Sequence, residues 1–208
     1  EGIKDTLYMT LTSTLIGYVI GLPMGILLTV TDKDGIHPNT AVYKVLDVIA
    51  NLIRSVPFLI LLIVLIPFTI FLIGRSHGPT ATIVPLVIAA APYIARMVES
   101  SLKEVDAGVI EAARSMGASN FTIVTKVMLV EARTSLIVGA TISLGTILGY
   151  SAMAGTVGGG GLGDIAIRYG YTRWQTDIMI VTVILLVILF QIFQTIGMKL
   201  ASNLDRRK

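Results

Sequence analysis

The sequence predicts an all-α, polytopic membrane protein with five transmembrane helices and a cytoplasmic helical hairpin, and three observations predict it. Of the 208 residues, 54% are hydrophobic and 14% charged, whereas a water-soluble domain is roughly a quarter charged. The charges are also segregated. Uncharged windows at residues 6–31, 55–74, 76–95, 134–163 and 178–198 hold 26, 20, 20, 30 and 21 residues, and a spanning helix needs about 20. Finally, the basic residues are lopsided. Lys33, Lys44, the five in the segment from Arg96 to Arg133, and Lys199, Arg206, Arg207 and Lys208 make eleven on one side, against Lys4, Arg75, Arg168 and Arg173, four, on the other. Lys and Arg stay on the cytoplasmic side of short loops, which places the N-terminus outside and the C-terminus in the cytoplasm.

The first window is too long for a cleavable signal core and has no strongly basic flank, so it reads as a span. Glu1 is not an initiator methionine, and further residues are expected before it. Ser13, Gly17, Gly21 and Gly25 recur at four-residue spacing on one helix face. Such a ridge permits close helix approach, either inside one subunit or between two. Pro23 lies within it and is expected to kink the helix. The stretch DKDGIHPNT, starting at Asp32, is a turn by its Asp, Gly, Pro and Asn residues. After it, Val42, Val45, Leu46, Ile49, Leu52 and Ile53 recur at helical spacing with Lys44, Asp47, Asn51 and Arg54 opposite. This is the pattern of an amphipathic helix lying at the cytoplasmic interface.

The second window is the most apolar, SVPFLILLIVLIPFTIFLI. Its apolar side chains favour insertion by about 5 to 9 kcal/mol. The third carries Pro85 and Pro92; a proline-broken, weakly apolar span is expected to be covered by other helices or to line a pathway. The fourth mixes Ser, Thr and Gly with aliphatic residues and is expected to face protein or a pore. From its small and polar character, Ser143, Thr146, Tyr150, Ser151 and Met153 are the pathway or gate candidates. The fifth is rich in Val, Ile and Leu and is expected to face lipid, with Tyr169, Tyr171 and Trp174 before it as an interfacial aromatic belt.

The residues exclude several function classes. There is no cysteine, hence no disulfide, thiolate metal site or cysteine nucleophile. His37 and His77 fall on opposite sides of the membrane and cannot share a metal. None of the windows contains Asp, Glu, Lys or Arg, the usual groups of proton relays and ion-coupled carriers. The net charge of +3 is spread over several connections, which suits anionic lipid headgroups and not nucleic acid. Gly158, Gly160 and Gly163 in VGGGGLGD match GxGxxG spacing, but that motif binds phosphate only between a strand and a helix. Gly158, Gly160, Gly161 and Gly163 are read instead as an external turn needing positive φ and close chain approach. No GxxxxGK[ST] loop occurs, so the chain is not expected to hydrolyse ATP.

The cytoplasmic segment 99–131 carries the most information. Asp106 is placed to cap a short helix through Glu111 and Ala113, Gly117 to end it, and Ser119 or Asn120 to cap a second helix. The result is a hairpin, either a docking element or a plain connection between spans.

At this point the residues resemble a family. EAARSMGA, Glu111 to Ala118, is similar to the EAA motif in the membrane subunits of bacterial ABC importers, and it precedes the penultimate span as that motif does. RSVPF, IVPL, APYIARMVE, GYSAMAG and GGGGLGDIAIRYGY resemble the methionine-type branch, so the likeness covers nearly the whole chain. The resemblance implies a type I ABC importer permease fold, one permease domain over residues 1–208. It also implies a second copy of the chain, two ATP-binding subunits that use ATP and Mg, an extracytoplasmic binding protein, and a bacterial inner-membrane location. No cofactor is implied for this chain. Glu111, Ala112, Ala113, Gly117 and Ala118 are carried over to the coupling helix. One departure is that Leu129 is followed by Val130 where the family often has proline, and a straighter following helix is expected. The function implied is import of methionine, of either hand, or a related amino acid. A permease for another small amino acid, an ATP-independent channel or carrier, and a membrane enzyme are the alternatives.

Overall fold

The computed structural model describes residues 1–204, all of whose regular elements are helical. Arg206, Arg207 and Lys208, counted above on the cytoplasmic side, lie outside the described residues. The helices are α1 (Gly2–Thr31), α2 (Thr40–Ser55), α3 (Phe58–Val64), α4 (Ile66–Ile73), α5 (Pro79–Lys103) and α6 (Ala107–Ser115). They continue with α7 (residues 120–131, whose middle, Ile123–Met128, is π-helical), α8 (Arg133–Ala154), α9 (Gly161–Ile165, continued by the π-helical Ala166–Tyr171) and α10 (Thr176–Leu204).

Four helices, α1, α5, α8 and α10, are each long and apolar enough to cross a membrane. The remaining passage is broken. Residues 55–74 were expected as one span, but they form α3 and α4, joined at Leu65. Pro67 at the start of α4 has no N–H to continue the preceding ladder. At 1.5 Å per residue the two helices reach about 24 Å, short of a hydrocarbon core of about 30 Å.

The centre of the bundle is α5. Of its apolar window 67% is buried, against 6% for α10, so the third window is covered as expected while the fifth lies on the outside of this chain. α1 packs along α5 through the glycine ridge. A Cβ at Gly21 would lie 2.6 Å from the Ala91 carbonyl oxygen, and one at Gly17 3.0 Å from Ile94 Cδ1. The ridge therefore packs inside one subunit, which is the first of the two readings of that spacing. α1 runs unbroken through Pro23.

α2 meets α3 at 101° and starts at Asn39, whose Oδ1 accepts from the Val42 N–H at 3.2 Å. The chain thus turns sharply between α2 and α3. The polar side of α2, however, is not turned wholly to solvent. Arg96 donates to Asp47 and to Asn51, the latter at 3.0 Å, while Val45, Val48 and Leu52 are exposed. The helix is amphipathic with its apolar face outward.

Candidate functional site

The hairpin forms as its punctuation dictates. Asp106 Oδ1 accepts from the Gly108 N–H at 2.8 Å and begins α6. Gly117 takes φ +81°, and the Ala118 N–H returns to the Ala113 carbonyl at 3.1 Å, closing the helix as a left-handed glycine allows. Ser119, not Asn120, caps α7, accepting from the Thr122 N–H at 3.2 Å. Ala113 is buried with Val105, Ile123, Met128 and Ala132. Glu111, Ala112 and Gly117 are exposed, and Ala118 is half-buried.

The exposed rim also holds Met116 at 82% exposure and Phe121 at 78%. Sequence reading passed over both. The available signal was a large apolar residue at two places in a charged, solvent-facing hairpin. After Val130 the arm runs to Glu131 and passes through a turn at Ala132 before α8.

A polar network behind the hairpin was also missed. Glu99 is buried, and its carboxylate accepts from Arg96 Nη1 at 2.7 Å and Lys103 Nζ at 2.8 Å. Lys103 also pairs with Asp32 at 2.7 Å, where α1 ends. The hydrogen bond from Lys103 holds the Asp32 carboxyl below the usual carboxylate range. Arg114, in the middle of EAARSMGA, donates to the Ile36 carbonyl at 2.7 Å. The i,i+3 and i,i+4 pairs around Glu99 were visible in the sequence. Asp32, Ile36 and Asp47 were not, because only the packing of α1 and α2 on α5 brings them there.

The pathway candidates on α8 separate into two groups. Ser143 and Ser151 are buried, bonding to the carbonyls of Gly139 and Leu148, both at 2.8 Å. Thr146 and Met153 belong to a more open stripe with Ile142 and Gly149, and Thr146 Oγ1 lies 3.3 Å from Tyr93 Oη. Tyr150 is half-buried and stacks on Phe58 with ring centroids 4.5 Å apart.

The glycine segment is a folded-back plug at the opposite end from the hairpin. Gly158, Gly160 and Gly161 have φ of +79°, +85° and +76°. A Cβ at Gly163 would fall inside contact distance of the Ala152 carbonyl. The Leu162 N–H donates to Thr6 Oγ1 at 2.9 Å, and the Gly78 N–H to the Gly158 carbonyl at 3.0 Å. The segment thus ties α1, α5 and α8 together, and its glycines serve turns and close approach.

Known proteins share this arrangement. The chain is 48% identical over 203 residues to the probable D-methionine transport system permease protein MetI of Vibrio cholerae, covering 98% of this chain and 90% of that one. It is 51% identical over 155 residues to the D-methionine transport system permease protein MetI of Escherichia coli K12, covering 74% and 71%. A chain in the solved inward-facing MetNI methionine ABC transporter superposes with a TM-score of 0.97 at 48% identity, over 99% of this chain and 95% of that one. Residues 21–208 match the family described as the binding-protein-dependent transport system inner membrane component. With spans, hairpin and relatives in agreement, the chain belongs to that family and is a multi-pass inner-membrane protein.

Proposed function

We propose that this chain is the permease subunit of an ATP-driven importer, and that two copies form the translocation pathway for methionine of either hand or a related amino acid. The carrying observation is the capped hairpin, which exposes Glu111, Ala112, Met116 and Phe121 next to the ends of α5 and α8. Residues 99–131 are the coupling segment of one permease domain spanning 1–208. In this reading Glu111, Ala112, Ala113, Gly117 and Ala118 couple to the ATP-binding subunit, Ala113 by holding the helix to its own bundle and Glu111 by offering a charge-assisted acceptor.

ATP and Mg are used by two separate ATP-binding subunits. Their closure displaces the hairpins, and α5 and α8 tilt with them, exposing the pathway alternately to each side. An extracytoplasmic binding protein delivers substrate to the outer face, the N-terminus lies on that side and the C-terminus in the cytoplasm. Thr146, Tyr150 and Met153 border the pathway directly. Ser143 and Ser151 support α8 from behind, and the plug at Gly158, Gly160, Gly161 and Gly163 braces the outer end. Methionine as the substrate is supported by the names of the relatives at about half identity.

The test is co-purification with the ATP-binding subunit, followed by uptake into proteoliposomes with binding protein, screened across amino acids including D-methionine. Glu111→Arg and Gly117→Trp are expected to abolish co-purification while the bundle still folds. Uptake by the chain alone without ATP would establish a channel or carrier instead.

A further inference from the structure

Coupling hairpins are attached by the chain only to the spans on either side, here α5 and α8. α1 and α2 lie far away in sequence, yet they share the cytoplasmic rim with the hairpin, and three polar links between the two arms have the same form. A cation from the α5–α6 arm grips an oxygen of the α1–α2 arm. Arg96 holds Asp47 and Asn51 on α2, Lys103 holds Asp32 at the end of α1 at 2.7 Å, and Arg114 of α6 holds the Ile36 carbonyl in the connecting turn at 2.7 Å. The first two cations are joined through buried Glu99, and the Lys103 ammonium stands 5.9 Å from the centre of the Tyr43 ring.

We propose that these three cations form a clamp that makes the α1–α2 corner travel with the coupling hairpin, with Lys103 and Arg114 as positioning residues for transport. The physical reason is register. α1 and α5 meet through small side chains, and apolar helix packing of this kind tolerates small sliding displacements. Charge-assisted bonds to fixed oxygens do not, because sliding parts the Asp32 carboxylate, 18% exposed, from the more exposed Lys103, and Arg96, 15% exposed, from Asp47. The clamp therefore converts a pull on α6 into a displacement of α1 and α2, which the covalent chain does not do. The inference rests on the coupling role proposed above.

The chain lacks cysteine, so paired spin labels can be introduced without background. In the reconstituted complex with ATP-binding subunits and binding protein, labels on Asp34→Cys and Ala107→Cys measure the corner-to-hairpin distance with and without nucleotide. Uptake per ATP hydrolysed is read on unlabelled samples. The expected result is one narrow distance within each copy that nucleotide does not change, the distances between the two copies being identified from the singly labelled chains. Combining Lys103→Gln with Arg114→Gln is expected to broaden it and to lower uptake per ATP about five- to tenfold with co-purification retained. Combining Lys103→Arg with Arg114→Lys is expected to keep both near the unaltered values. A nucleotide-dependent distance within one copy of the unaltered chain overturns the clamp, as does unchanged uptake per ATP in the glutamine pair. If the unaltered complex imports no amino acid, the functional reading fails, and the label distance still decides the clamp.

Discussion

At the scale of residues, glycine means something different at each place it occurs. Gly21 sits where a Cβ would press on the Ala91 carbonyl and Ile94, whereas Gly149 on α8 has nothing within 4 Å of that position. Gly21→Val is therefore expected to destabilise the bundle by about 1 to 3 kcal/mol through overpacking. Gly149→Ala is expected to leave thermal unfolding in detergent unchanged, and comparing the two melting curves checks both. The four-residue spacing is enough to reveal the ridge, because helical periodicity alone puts those positions on one face. It does not reveal the partner, since the Ala and Ile residues facing it are ordinary span residues. The same limit hid the clamp: Arg96, Glu99 and Lys103 are neighbours on one helix, but their oxygen partners come from α1 and α2.

At the scale of elements, local chemistry was a good guide wherever backbone groups needed satisfying. Asp106, Gly117 and Ser119 define α6 and the start of α7, as capping residues do in any solvent, and Asn39 does the same for α2. The second window was harder. Hydropathy counts apolar residues but is blind to a missing N–H, so a run apolar enough to insert is divided at Leu65 before Pro67. α2 shows the converse limit. Its two faces were legible, while their direction depends on Arg96 holding Asp47, which is half-buried, and leaving Leu52 at 67% exposure. An outward apolar face on a helix at right angles to a span belongs in lipid. Leu52→Cys is thus expected to resist a hydrophilic thiol reagent in inside-out membrane vesicles, where Asp34→Cys in the adjacent turn reacts. Equal labelling of the two would remove the interfacial assignment.

At the scale of the whole molecule, burial sorts the spans by composition. The proline-bearing α5 is enclosed, and the Val, Ile and Leu-rich α10 forms the outer wall. The lopsided distribution of Lys and Arg predicts the direction of insertion. Gly2→Cys should be labelled from outside intact cells and Ser202→Cys only after permeabilisation; labelling of both from one side would reverse or break the predicted topology. The sequence by itself determined that this chain inhabits a bilayer, which of its segments are apolar enough to enter one, and where the helices of its hairpin are capped. These follow from hydrophobic length, charge segregation and local hydrogen-bonding demand, none of which needs a distant residue. Only the tertiary structure decided that the glycine ridge packs within the subunit, that the serines of α8 turn into the bundle, and that the α1–α2 corner is bound to the hairpin arm. Each depends on a pairing between segments far apart in the chain, and in lipid such pairings are chosen by shape and by the pairing of buried charges, which periodicity along one helix does not encode.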